Sequence, residues 1–173
     1  GKLPALPGEF PRMSDWTAHL STAFPEVRLK SFLEMRGADG GPWSRICALP
    51  AFWVGLLYDQ GALDAAWDLV KGWDMAGRED LRSAVPKLGL DAPLPNSFRG
   101  GGGTLRDIAS EVLAISRSGL TARGQINASG DNETIYLAPL DEVVASGKVP
   151  AQRLLDKFHG EWGGDISRVY EES

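Results

Sequence analysis

Glu34 and Arg36 are the residues of this chain best spaced to do chemistry. They lie two apart within 28–36, a stretch that changes period from the helical pattern before it. On an extended strand both side chains project from the same face. A carboxylate is a hard oxygen ligand suited to Mg²⁺. A neighbouring guanidinium can clamp phosphate oxygens and offset charge in phosphoryl transfer. Arg28 and Lys30 share the face and are weaker candidates for anion contact. The same spacing also suits an ion pair on a solvent-facing strand, and spacing alone leaves both readings open.

Other candidates are weaker. The loop Gly37-Ala38-Asp39-Gly40-Gly41-Pro42-Trp43 contains neither GxxxxGK[ST] nor GxGxxG. Its glycines permit close approach to a ligand, or simply a tight turn after a strand. The run Gly100 to Gly103 precedes a helix start, where anions bind, but four glycines more often make a slack linker. Cys47 sits in an apolar stretch and reads as a buried, inert thiol. His19 and His159 form no HxxxH-type pair, so a histidine metal site is not expected. His159 reads as a half-exposed structural histidine.

The elements that must position these groups are mostly helical. Ser14 is a suitable N-cap for a helix carrying Trp16, Leu20 and Ala23, closed by Pro25. Residues 28–36 read as one strand ended by Gly37. Leu29, Ser31, Leu33 and Met35 form an apolar face expected to pack inward. Arg28, Lys30, Phe32, Glu34 and Arg36 form a charged face. Cys47 to Asp59 is apolar nearly all round and predicts a buried helix. Leu63, Ala66, Trp67 and Val70 recur at i, i+3, i+4, i+7, with Gly72 as the stop. Another helix is expected over 75–85, ended by Pro86. Residues 88–103 read as a flexible loop. Thr104 with Asp107 forms a capping-box pattern before a helix for which Gly119 suits the C′ position. Pro139 and Pro150 mark two further helix starts, with Gly147 stopping the first.

Bulk properties narrow the classes. A chain of 173 residues is long enough for one domain with a core, and 43% apolar with 24% charged residues is an ordinary globular balance. Net charge is −5 without a basic block, so a nucleic-acid footprint is not expected. The longest apolar run, Ala48 to Tyr58, is too short to span a bilayer, so no membrane partner is expected. A single cysteine excludes an internal disulfide framework and makes the cytosol the expected compartment. The opening Gly1-Lys2-Leu3-Pro4 reads as the middle of a loop, so the chain is expected to be a piece of a longer protein. One strand cannot satisfy its own ladder, so its partners are expected outside the recognised elements.

Two segments carry a more specific signal: Phe32-Leu33-Glu34-Met35-Arg36-Gly37-Ala38-Asp39-Gly40-Gly41-Pro42-Trp43, and Cys47-Ala48-Leu49-Pro50-Ala51-Phe52-Trp53-Val54-Gly55-Leu56-Leu57-Tyr58-Asp59. Both strongly resemble the plant and proteobacterial type of glutamate–cysteine ligase. Gly1-Lys2-Leu3-Pro4, Phe24-Pro25-Glu26-Val27-Arg28 and Gly160-Glu161-Trp162 resemble that family too. The resemblance implies an α+β protein, of which this chain is a mostly helical C-terminal part. Its strand 28–36 would belong to a larger antiparallel sheet related to the glutamine synthetase catalytic domain. Residues 1–60 would hold the site-bearing strand and buried helix, 61–87 further helices, 88–103 the loop, and 104–173 a helical C-terminal region.

The resemblance also implies ATP and Mg²⁺, with glutamate and cysteine as substrates joined through γ-glutamyl phosphate in the first step of glutathione synthesis. The missing N-terminal part of the same chain would be the partner completing the site. Glu34 would be a Mg²⁺ ligand. Arg36 would contact ATP phosphate and neutralise developing phosphoryl charge. Cys47 matches a position that in some relatives pairs with an earlier cysteine. A related carboxylate–amine ligase with another amine, or a non-catalytic helical module, are the competing readings.

Overall fold

The computed structural model describes residues 7–38, 40–98 and 102–171. The chain divides into two compact units, Gly1–Gly40 and Gly41–Ser173. In class it is α+β: mainly helical, with a two-stranded antiparallel sheet.

The first unit holds α1 (Met13–Leu20), β1 (Val27–Leu29) and β2 (Leu33–Met35). The N-terminus of α1 is capped by Asp15, whose carboxylate accepts from the Arg12 backbone N–H at 2.6 Å. The helix therefore starts one residue before the expected cap, Ser14. It stops at Leu20, well short of Pro25. No residue of α1 is buried.

The expected single strand 28–36 is a hairpin. Lys30, Ser31 and Phe32 form its turn, and the two halves pair with each other. That answers where the ladder's partners are: each half supplies the other's. The apolar face does not pack inward as expected. Leu29 is 79% exposed, and Val27 and Leu33 are exposed too. One short helix and one hairpin give a unit too little apolar cover to form a core.

The second unit contains α2 (Ala48–Leu57), α3 (Gln60–Val70), α4 (Met75–Leu88), α5 (Leu105–Arg123), α6 (Ala138–Ser146) and α7 (Pro150–His159). Pro50 lies in the first turn of α2, where a missing N–H removes no helical bond. The centre of this unit is the crossing of α2 with α5. Ser116, fully buried, donates its hydroxyl to the Phe52 carbonyl at 2.9 Å. Gly55 and Gly119 meet at the same place. A Cβ on Gly119 would fall 1.9 Å from the Gly55 carbonyl oxygen. Ala51, Leu113, Leu120 and Leu137 form the apolar core around the crossing.

Several helix boundaries and faces differ from the sequence reading. Gly119 is not the stop of α5. The helix continues to Arg123, and Gly124 takes the left-handed cap at φ 63°. Gly119 is glycine because two backbones touch there. The same closeness demands a small residue from α3, and Ala62 supplies it, 2.9 Å from that same Cβ position. The inward stripe of α3 is thereby Ala62, Ala66, Leu69 and Val70, and Trp67 is 62% exposed. Pro86 does not end α4, which runs to Leu88 before Gly89 at φ 56°. A proline in a last turn forfeits a single helical bond, which the helix tolerates.

A second apolar cluster joins Leu81, Ala92 and Phe98, with Trp73 stacked on Phe98 at 4.2 Å. Within 88–98, then, Ala92 and Phe98 are buried, and Pro93 is bridged to Thr104. Gly100 and Gly101 lie outside the described residues. The Thr104–Asp107 capping box is present, with the Thr104 N–H donating to Asp107 at 2.7 Å. Arg106 then reaches the last carbonyls of α6, bonding Val144 O at 2.6 Å and also Ala145 O. The helix starts at Pro139 and Pro150 and the stop at Gly147 are all found.

Candidate functional site

The hairpin brings the predicted residues together, and its register explains how. Val27 pairs with Met35, Arg28 with Glu34, and Leu29 with Leu33. Two hydrogen bonds extend the ladder: the Arg36 N–H donates to the Glu26 carbonyl at 2.8 Å, and the Lys30 N–H to that of Phe32 at 2.9 Å. Directly opposed residues share a face. Even positions pair with even positions, so Glu26, Arg28, Lys30, Phe32, Glu34 and Arg36 stay on one side. The alternation read for a single strand therefore survives the fold-back that the single strand did not anticipate.

Glu34 is held by cations. Its Oε2 accepts from Arg28 Nε at 2.8 Å, with Arg28 Nη2 at 2.7 Å and Lys30 Nζ at 3.9 Å as ion-pair contacts. About a third of each side chain of the Arg28–Glu34 pair is exposed. The Arg28 hydrogen bond is the main cause that lowers the Glu34 pKa below its ordinary value. The charges of Arg28, Lys30 and Arg36 add to it, and partial desolvation opposes it. Both Arg28 contacts go to one carboxylate oxygen.

Arg36 is placed differently. Its guanidinium carbon lies 4.9 Å from the centroid of the Phe24 ring, and its Nη1 is buried with no hydrogen-bond partner. A buried, unpaired guanidinium N–H is costly unless an acceptor arrives. Phe24 was not picked out from spacing. Nothing in the sequence links positions 24 and 36 until the hairpin register is known.

Asp39, part of the predicted loop, lies outside the described residues. Cys47 is exposed rather than buried: it precedes α2, and the buried positions of that helix begin at Ala48. His159 is exposed at the end of α7, edge-on to Phe158. Among the described residues no three His, Cys, Asp or Glu side chains converge as a metal site. Among them, too, no single helix is long and apolar enough to cross a membrane.

A family model described as glutamate-cysteine ligase family 2 matches residues 7–172. The chain belongs to that family. It is 52% identical over 172 residues to the chloroplastic glutamate–cysteine ligase of Arabidopsis thaliana, covering 99% of this chain and 31% of that protein. It is 49% identical to the chloroplastic enzyme of Solanum lycopersicum, with the same coverage. Glutamate–cysteine ligase A of Oryza sativa subsp. indica, also chloroplastic, is 49% identical, with 32% of its length covered. The chain thus spans about a third of the length of the curated relatives it matches.

These relatives correct one expectation: their names point to a plastid, not to the cytosol. The cysteine count excluded a disulfide framework, but that bears only on redox conditions. Delivery to an organelle is carried by a leader that import machinery reads, which folded-domain composition does not report.

Proposed function

We propose that the full-length protein is an ATP-dependent glutamate–cysteine ligase and that the charged face of the hairpin is one wall of its site. The reaction joins the γ-carboxylate of glutamate to the cysteine amine through γ-glutamyl phosphate, with ATP converted to ADP and phosphate. Family membership along nearly the whole chain supports the reaction class. One observation carries the site assignment: the buried, unpartnered Nη1 of Arg36, two residues from a carboxylate held in place by Arg28.

The residues fit the groups the reaction uses, in part. Arg36 offers a desolvated donor to an anionic oxygen, the role expected toward ATP phosphate. Glu34 offers an ionised hard ligand for Mg²⁺, whose contribution when bound is to neutralise phosphate charge. Glu34 alone does not make a metal site, and the further ligands belong to the rest of the full-length protein. Arg28 already touches Glu34, so its part is to orient that carboxylate and, secondarily, to face the anion.

The test uses the full-length enzyme. Glu34→Gln and Arg36→Ala should each lower kcat about a hundredfold or more, the scale of a lost electrostatic stabiliser. Wild-type rates in both variants would overturn the assignment.

A further inference from the structure

We infer that Phe24 is a positioning residue for Arg36: its ring supports the guanidinium face and so turns the N–H edge toward a phosphate. This rests on the nucleotide role proposed above for Arg36. An arginine side chain is long and flexible, and something must fix its plane before its donors can select one acceptor. Here no hydrogen bond does so at Nη1. The contact that can do so is with Phe24, whose ring centroid lies 4.9 Å from the guanidinium carbon.

The hairpin explains why residue 24 can reach. The Arg36 N–H is bonded to the Glu26 carbonyl. Continuing the register one step outward makes Phe24 the same-face diagonal neighbour of Arg36, a separation that aromatic and long side chains bridge. Pro25 follows Phe24 and restricts it to extended backbone, which limits where the ring can go.

The chemistry of the stack matters. A guanidinium carries its five donors in its plane and none on its faces. A ring beneath one face therefore restrains the group without consuming a donor, whereas a carboxylate partner would occupy the edge. Arg28 shows the contrast: its Nε and Nη2 are both spent on Glu34. Phe24 is itself 75% exposed, so in this structure its ring serves the stack rather than a core.

The experiment uses the full-length enzyme, with a non-hydrolysable ATP analogue and Mg²⁺ titrated by calorimetry. Phe24→Leu, which keeps apolar bulk and removes the π face, should weaken binding about three- to tenfold, the scale of a partly desolvated cation–π contact. It should leave KM for glutamate unchanged. Phe24→Tyr should bind within about twofold of wild type, because the ring is kept. In an Arg36→Ala background, Phe24→Leu should add nothing. If Phe24→Leu does not fold, Phe24→Met takes its place with the same expectations.

Three outcomes overturn the inference. The first is wild-type binding by Phe24→Leu alongside weakened binding by Arg36→Ala, which leaves the role of Arg36 standing. The second is an equal loss from Phe24→Leu with and without Arg36. The third is Arg36→Ala binding as wild type, which removes the nucleotide role of Arg36 itself.

Discussion

Glu34 gives up its proton more readily than an ordinary carboxylate, and Arg28 is the main cause. A carboxylate whose pKa is lowered in the folded state contributes stability above its unfolded pKa and loses it as pH falls through the folded value. The Arg28–Glu34 pair therefore remains intact at neutral pH and weakens only in acid. Both side chains are about one third exposed, so the pair is screened and its worth to stability is small. Its worth to the site lies in fixing the orientation of one carboxylate. Arg28→Ala should move the Glu34 titration midpoint upward toward the ordinary range, read by carboxyl ¹³C NMR on selectively labelled protein. An unmoved midpoint would show that Lys30 and Arg36 suffice. Lys30 Nζ is 3.9 Å from Glu34, a distance at which charge attraction persists without a hydrogen bond.

Among the elements, the α2–α5 crossing governs the second unit. Two effects compete in Gly119→Ala. Alanine favours a helix over glycine by about 1 kcal/mol. Against that, the new methyl would sit 1.9 Å from the Gly55 carbonyl oxygen, a backbone atom that cannot rotate aside. Overpacking of a core costs about 1–3 kcal/mol, and here relief requires α2 and α5 to separate. With a backbone atom in the way the cost falls at the upper end of that range, so the clash should win, with a net loss of about 2 kcal/mol by urea denaturation. Gly72→Ala is the control: a Cβ there meets nothing within 4 Å, and the change should stay within about 0.5 kcal/mol. Equal stability of the two variants would mean that the crossing is looser than this close approach requires. Ser116 belongs to the same contact, since its buried hydroxyl is satisfied by the Phe52 carbonyl.

At the scale of the whole molecule, the chain covers 31% of its Arabidopsis relative and carries one wall of the proposed site. No three candidate metal ligands converge among its described residues. The first unit leaves Phe10, Met13, Trp16, Leu20, Leu29 and Leu33 exposed and, among its described residues, has no buried core of its own. We therefore expect the isolated 1–173 chain, given ATP, Mg²⁺, glutamate and cysteine, to release no phosphate above blank. Substrate-dependent phosphate release by the isolated chain would overturn this expectation.

The sequence by itself determined what depends on near neighbours. Period-2 alternation assigned Glu34 and Arg36 to one face, and antiparallel pairing preserved that parity when the strand proved to be a hairpin. The Thr104–Asp107 cap and the helix starts at Pro139 and Pro150 were legible because caps are made within one turn. What only the tertiary structure decided are contacts between residues distant along the chain. Gly119 reads as a helix stop until α2 is laid across α5. Trp67 reads as core until Ala62 is required at that crossing and turns it outward. Phe24 has no legible partner until the hairpin brings it to Arg36. Spacing reports the face on which a residue lies, whereas the partner that meets the face is fixed by the path of the chain elsewhere.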